Sequence, residues 1–213
     1  MSLGKNIISF SLWGTDSRYV DGALENVNLA KEIYPDWSVR IYVDNSVDKE
    51  ELKKVYDAGA DIRLVKDSKG PFHGAYWRFL VNDDPTVGRY IIRDIDSRLN
   101  FREQAAVNEW VKSDKSYHVM RDHPNHRYAI QAGMWGGKAN EFKIWPLVEQ
   151  WGKYDYYSCD EHFLQQIIYP KIKDNIIVHD PFIEKKPFPK HKPIYNKGTF
   201  VGQTFKNGKP QND

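Results

Sequence analysis

What most constrains this chain is the regular exchange of two hydrophobic periods along it. Seven stretches alternate with period two or run apolar, and most are rich in β-branched residues. They are "NIISFSLW" (6–13), "WSVRIYVD" (37–44), "DIRLVK" (61–66), "RYIIRDID" (89–96), "SYHVMRD" (116–122), "AIQAGMWGG" (129–137) and "NIIVHD" (175–180). Helical patterns lie between them. Residues 17–33 place Val20, Ala23, Leu24, Val27 and Ala30 on one face, and Asp48 with Glu51 has the spacing of a capping box ahead of Leu52 and Val55. Helices also fit 71–82, 101–113, 139–151 and 160–169. Strand and helix in alternation predict an α/β fold, a central and mostly parallel mixed sheet with helices on both faces.

A chain of 213 residues with 40% hydrophobic content supports one sizeable core, so a single domain is expected over 1–180. Residues 181–213 differ in character. They hold seven lysines against Glu184 and Asp213, a net of +5, which leaves −3 for residues 1–180 out of the total of +2. This basic Pro/Lys-rich segment reads as a lid, a linker toward further domains, or both. A nucleic-acid binder would present its basic residues as a stripe on the folded body, and no such stripe is visible. No apolar run approaches bilayer length and the first residues lack a signal-peptide pattern, so a soluble, cytoplasmic protein is expected. The single Cys159 excludes an internal disulfide and a multi-cysteine zinc site.

In an open α/β sheet ligands sit beyond the carboxyl ends of the strands. Here those ends carry Ser11, Trp13 and Gly14 on the first strand, Asp44 and Asn45 on the second, and Asp94 and Asp96 on the fourth. None has the glycine-rich dinucleotide fingerprint or the lysine loop of a phosphate-binding NTPase. Asp94 and Asp96, two apart on a strand, would point to one face and offer carboxylates to Mn²⁺ or Mg²⁺, leaving positions for phosphate oxygens; a strand ending in a polar turn is the plain alternative. In "HGAYWRFL" (73–80), Arg78 is placed to clamp a diphosphate, with Gly74 and Ala75 leaving room, or is an ordinary solvated arginine. In "QAGMWGGK" (131–138), glycines permit close backbone approach and Trp135 offers a face to a sugar, or else the tryptophan is core.

The order "IISFSLWG", "YVDN", "AYWRFL", "RYIIRDIDSRL", "AGMWGG" and "CDEHFL" resembles nucleotide-sugar glycosyltransferases of the GT-A fold, whose signature is a metal-binding Asp-x-Asp. It is especially similar to a glycosyltransferase domain that opens a larger chlorella virus protein. The likeness spans roughly residues 5–180. It implies that Asp94 and Asp96 bind metal and the donor's diphosphate or ribose, with Ile95 between them, and that Arg78 faces the donor. It also implies that Ser11, Leu12, Trp13, Gly14, Asp44 and Gly136 belong to the nucleotide pocket, the donor being a UDP-sugar. His179 in "IIVHDPF" is the implied third metal ligand, with His191 as alternative. Asp160 and Glu161 are the implied catalytic acidic pair, although acidic residues also favour any helix N-terminus. Tyr154, Tyr156 and Tyr157 either flank the pocket or cover the core.

The expected activity is metal-dependent transfer of a sugar to a glycan acceptor, with retention, and in the host-cell cytoplasm if the protein is viral. Asp122, Gln131, Asp160 and Glu161 are the candidate polar groups at the acceptor. Lys185, Lys186, Lys190 and Lys192 would close over the phosphates. Two other classes stay open. A nucleotidyltransferase would normally carry a glycine-rich, basic loop after the first strand, which "LWGTDSRY" lacks, although Arg18 is close. A non-catalytic carbohydrate-binding module would suit seven tryptophans and thirteen tyrosines.

Overall fold

The computed structural model describes residues 4–192 and 199–211. All seven anticipated strands are present: β1 (Lys5–Leu12), β2 (Ser38–Val43), β3 (Asp61–Leu64), β4 (Val87–Arg93), β5 (Tyr117–Met120), β6 (Met134–Lys138) and β7 (Ile176–His179). They form one sheet in the order β3-β2-β1-β4-β6-β5-β7. Only β6 runs against the others; β4 and β5 pair with it antiparallel, and the remaining pairs are parallel.

The alternation of β1 explains how the sheet is covered. Ile8, Phe10 and Leu12 enter one core with Ile91, Val107 and Trp110, beneath α1 (Ser17–Ile33), α2 (Lys49–Asp57) and α4 (Phe101–Lys112). Ile7 points the other way, into a second core with Phe79, Tyr90, Trp135 and Phe163. That face is covered by α3 (Gly74–Trp77), which tightens into a 3₁₀ turn (Arg78–Asp83), and by α5 (Trp145–Trp151), α6 (Cys159–Phe163) and α7 (Tyr169–Ile172). Helix starts follow local chemistry: the side chains of Asp16, Asp48 and Asn100 accept backbone N–H bonds at the first turns of α1, α2 and α4.

Four expectations need correction. The strand anticipated at 89–96 ends at Arg93, so Asp94 and Asp96 lie in a turn closed by Ser97, whose N–H and hydroxyl both donate to the Asp94 carbonyl at 3.1 and 2.7 Å. Their common orientation therefore comes from the turn rather than from strand alternation. The strand anticipated at 129–137 begins only at Met134, and the helix anticipated at 139–151 only at Trp145. In place of one helix over 160–169, a π-helical turn (Leu164–Ile168) separates α6 from α7, placed just ahead of Pro170, which has no N–H to donate.

The segment beyond β7 is exposed over most of 181–192, then returns to the body. Val201 is fully buried against Ala106, Met120 and Met134. Phe205 donates its N–H to the Asp96 carbonyl at 2.8 Å and opens a short hairpin of β8 (Phe205–Lys206) and β9 (Lys209–Pro210). Among the described residues no helix is long and apolar enough to cross a membrane.

Candidate functional site

A cavity of about 390 Å³ opens at the carboxyl ends of β1 and β4. Its construction begins with Ser9 and Ser11, which lie on the face of β1 opposite Phe10. Ser9 Oγ donates to the Arg78 carbonyl at 2.7 Å, and Ser11 Oγ accepts the Arg78 N–H at 2.9 Å. Two hydroxyls thus fix the backbone of Arg78 against β1. The guanidinium, only 6% exposed, is shared between acids: Nη1 donates to Asp94 and to the Arg93 carbonyl, and Nη2 donates to Asp160 at 2.8 Å. Burial alone would favour loss of the proton, but Asp94 and Asp160 outweigh it and hold Arg78 charged more firmly than usual.

Among the described residues four carboxylates line this cavity, those of Asp94, Asp96, Asp160 and Glu161, and Arg78 is the single cationic side chain lining it. Three of these acids, Asp96, Asp160 and Glu161, resist ionisation, first because they are buried and then because they face one another. Burial and then Asp94 push Asp96 up to about 6, while burial, then Asp160 and Asp94, push Glu161 up to about 7. Asp160 is pulled both ways, and burial prevails over Arg78 to raise it. Glu161 is approached from the β6 side by Gln131, whose side-chain amide lies 3.0 Å from Oε1. Gly133 backs Asp94 so closely that a Cβ there would lie 1.9 Å from Oδ2. The reason is register: Arg93 pairs with Met134, so the residues before β6 meet those after β4.

The other walls are aromatic. Trp13, Tyr19, Phe72 and Tyr157 line the cavity with Leu12, Ala75, Ile95, Ala132, Ser158, Cys159 and Thr204. Tyr157 is 83% exposed and meets Phe72 edge to face at 6.4 Å between centroids. Gly74, read as room near Arg78, instead makes room for the Trp13 ring, which a Cβ would approach to 2.4 Å.

The anticipated residues divide clearly. Ser11, Leu12, Trp13, Arg78, Asp94, Ile95, Asp96, Asp160, Glu161 and Tyr157 line the cavity. Gly14, at φ +81°, and Asp44 stand behind its rim: Gly14 N–H donates to Ser46 Oγ at 2.7 Å, and Asp44 accepts the Ser46 N–H at 3.0 Å. Gly136 does not belong to it. It pairs with Ile91 inside the sheet, and a Cβ would meet the Tyr90 carbonyl. Trp135 and Tyr154 are core. His179 is likewise displaced, because β6 and β5 intervene between β4 and β7; it sits 3.0 Å from His118 and 3.6 Å from Glu109. His191 contacts Arg102 at 3.0 Å, away from the cavity. Asp122 is saturated by a forked pair with Arg102, both at 2.7 Å, and by the Val201 N–H. Lys186 pairs with Glu184, and Lys192 lies over the Phe101 ring. Among the described residues no three His, Cys, Asp or Glu side chains converge closely enough to enclose a metal ion unaided.

Sequence reading missed Tyr19, Phe72 and Thr204. Tyr19 was discoverable in principle, since the first turn of the helix after β1 faces the same end of the sheet. Thr204 had no signal, because its place depends on a return of the chain over more than a hundred residues from Asp96.

Neither a family model nor a curated protein sequence matches this chain. Its three-dimensional likenesses are informative. A glycosyltransferase involved in glycosylating the major capsid of PBCV-1 is similar over 83% of this chain and 82% of its own, at 15% identity and a TM-score of 0.50. The fold is of the GT-A type. The mannosyltransferase PcManGT from Pyrobaculum calidifontis, solved with GDP-Man and Mn²⁺, matches over 87% of this chain and 59% of its own, at 12% identity and 0.53. The 4-diphosphocytidyl-2C-methyl-D-erythritol synthase from Anaerococcus prevotii matches over 88% and 93%, at 10% identity and 0.54. At such identities the GT-A likeness concerns architecture.

Proposed function

We propose that this protein is a metal-dependent glycosyltransferase that moves a sugar from a UDP-sugar to a glycan acceptor, with retention. The observation that carries the reading is the gathering of four carboxylates around one guanidinium at the carboxyl ends of β1 and β4, where burial and then mutual repulsion raise Asp96 to about 6 and Glu161 to about 7. Clustered acids with raised values are costly unless a cation or a proton offsets them, and they mark sites of function more often than of stability. Hard oxygen donors of this kind suit Mn²⁺ or Mg²⁺. Asp94 and Asp96 would hold the ion, with the diphosphate and water completing its shell. Bound there, a divalent ion would supply charge against which the nucleoside diphosphate leaves.

The chain's own residues do the rest. Arg78 fixes the direction of Asp94 and Asp160, and thereby the place where the donor's phosphates meet the turn. Trp13 and Tyr19 offer faces to the base, while Phe72 and Tyr157 offer an edge-to-face pair to the sugar or acceptor. Glu161, poised near neutrality and oriented by Gln131, accepts a hydrogen bond from a sugar or acceptor hydroxyl. Residues 199–211 wall the turn of Asp96 and limit water there; whether the lysines of 181–192 act as a lid is answered by replacing Lys185, Lys186, Lys190 and Lys192 with alanine and measuring donor affinity and transfer rate.

Calorimetric titration of UDP, UDP-sugars and GDP-mannose with Mn²⁺ and then EDTA tests the reading. Metal-dependent nucleotide binding supports it, whereas sugar binding indifferent to EDTA would leave a carbohydrate-binding module. The anomeric coupling of the product, read by NMR, tests retention. A nucleotidyltransferase is the second reading, favoured by the likeness over 93% of the cytidylyl-transferring synthase; pyrophosphate release from CTP and a sugar phosphate would establish it.

A further inference from the structure

We infer that Arg18, rather than Arg78, supplies the side-chain positive charge that holds the donor's diphosphate, an inference that rests on the nucleotide-sugar reading above. Arg78 is already engaged: Nη1 donates to Asp94 and the Arg93 carbonyl, Nη2 donates to Asp160, and its unpartnered Nε is shut away from water, so a diphosphate would have to compete with these carboxylates for it. The floor of the cavity is therefore anionic, and a ligand carrying two phosphates needs a cation at the rim.

Arg18 stands there. It lies in the first turn of the 17-residue α1, and its guanidinium stacks 4.5 Å over the ring of Tyr19, which lines the cavity. Nη2 donates to the Tyr19 hydroxyl at 2.5 Å, which fixes the plane of the fork. Its Nε is shut away from water without a hydrogen-bond partner, and its ion pair with exposed Asp16 is long at 3.9 Å. The opposing carboxylate is occupied in capping, since Asp16 Oδ1 accepts the Arg18 N–H at 2.9 Å. Arg18 thus has charge to offer and geometry already set, and its field reaches Asp96. A planar guanidinium held this way suits the forked oxygens of a phosphate. Of the basic residues beyond β7, Lys186 and Lys192 are engaged elsewhere.

The test is calorimetry in Mn²⁺ with UDP and, separately, uridine, on the wild-type chain, Arg18→Ala and Arg18→Lys. Arg18→Ala should weaken UDP by about tenfold or more, the loss of a charge-assisted hydrogen bond, and move uridine by less than about twofold. Arg18→Lys should recover part of the loss, because it restores charge without the fork. UDP affinity unchanged in Arg18→Ala overturns the assignment. Equal losses of UDP and uridine overturn it too, since Arg18 would then merely prop Tyr19. A wild-type chain that binds uridine as tightly as UDP would refute diphosphate recognition altogether, and one that binds neither would remove the nucleotide-sugar reading itself.

Discussion

Arg121 and Arg78 are each gripped by two carboxylates beyond the carboxyl ends of the parallel strands, yet the acids around them respond in opposite directions. Arg121 donates through Nε to Asp180 at 2.6 Å, through Nη2 to Glu184 and through Nη1 to the Ala129 carbonyl. Asp180 also accepts the N–H groups of Phe182 and Ile183 at 2.9 and 2.8 Å. Burial would raise both acids, but for Asp180 the Ile183 amide and Arg121 outweigh it, and for Glu184 Lys186 and Arg121 do; both are held below the usual carboxylate range. Around Arg78 there are four acids for one guanidinium, and Asp96, Asp160 and Glu161 are held above that range. A buried charge cluster that satisfies itself is structural; one that leaves negative charge over awaits something from outside the chain.

The contrast is breakable, and the largest effect belongs to the satisfied cluster. Arg121→Ala strands Asp180, which is fully buried, and should cost about 3–5 kcal/mol in urea unfolding. A loss below about 1 kcal/mol would show that this cluster is no more structural than the other. Asp94→Ala and Asp96→Ala should each weaken metal-dependent UDP binding by roughly a hundredfold, about 2.7 kcal/mol, and abolish transfer while the unfolding midpoint changes little. Near-normal turnover in both would sink the metal-site reading.

Glu161→Gln should give a smaller and pH-dependent gain. The folded value of about 7 lies above the ordinary one, so the folded state binds the proton more tightly. The cost of ionisation is absent below about pH 4.5, grows through that window and is complete above about 7. The variant should thus be the more stable by about 1–2 kcal/mol at pH 8, and its advantage should shrink as pH falls to 5. An advantage that does not change with pH would place Glu161 outside the strained cluster. Smallest of all, His179→Gln should leave Mn²⁺ affinity within about twofold, since two strands separate it from Asp94. A tenfold loss would return His179 to the site.

Much of this was legible in the chain, because local chemistry and local structure agree. β-branched runs such as "SVRIYV" became strands, and Asp16, Asp48 and Asn100 start helices where their side chains reach free N–H groups. Asp94, Asp96, Arg78, Asp160 and Glu161 were all chosen from sequence and all line one cavity. Errors arose where the answer depends on strand order. His179 stands at a strand end as expected, but at the sheet's far edge. Gly133 rather than Gly136 abuts Asp94 because the direction of β6 fixes which glycine falls at the edge. Thr204 reaches the cavity by a return that no local period announces.

The single reversed strand has a consequence for how such a fold can be varied. With β6 turned around, the whole connection of residues 121–133 both leaves β5 and enters β6 at the cavity end, so it opens beside Asp94 and Glu161 without crossing the sheet. Lengthening or exchanging that connection between Pro124 and Arg127, which are exposed, leaves every strand pairing in place. The lining of the cavity can therefore be retuned as an interchangeable cassette, on a frame whose acidic turn stays where it is.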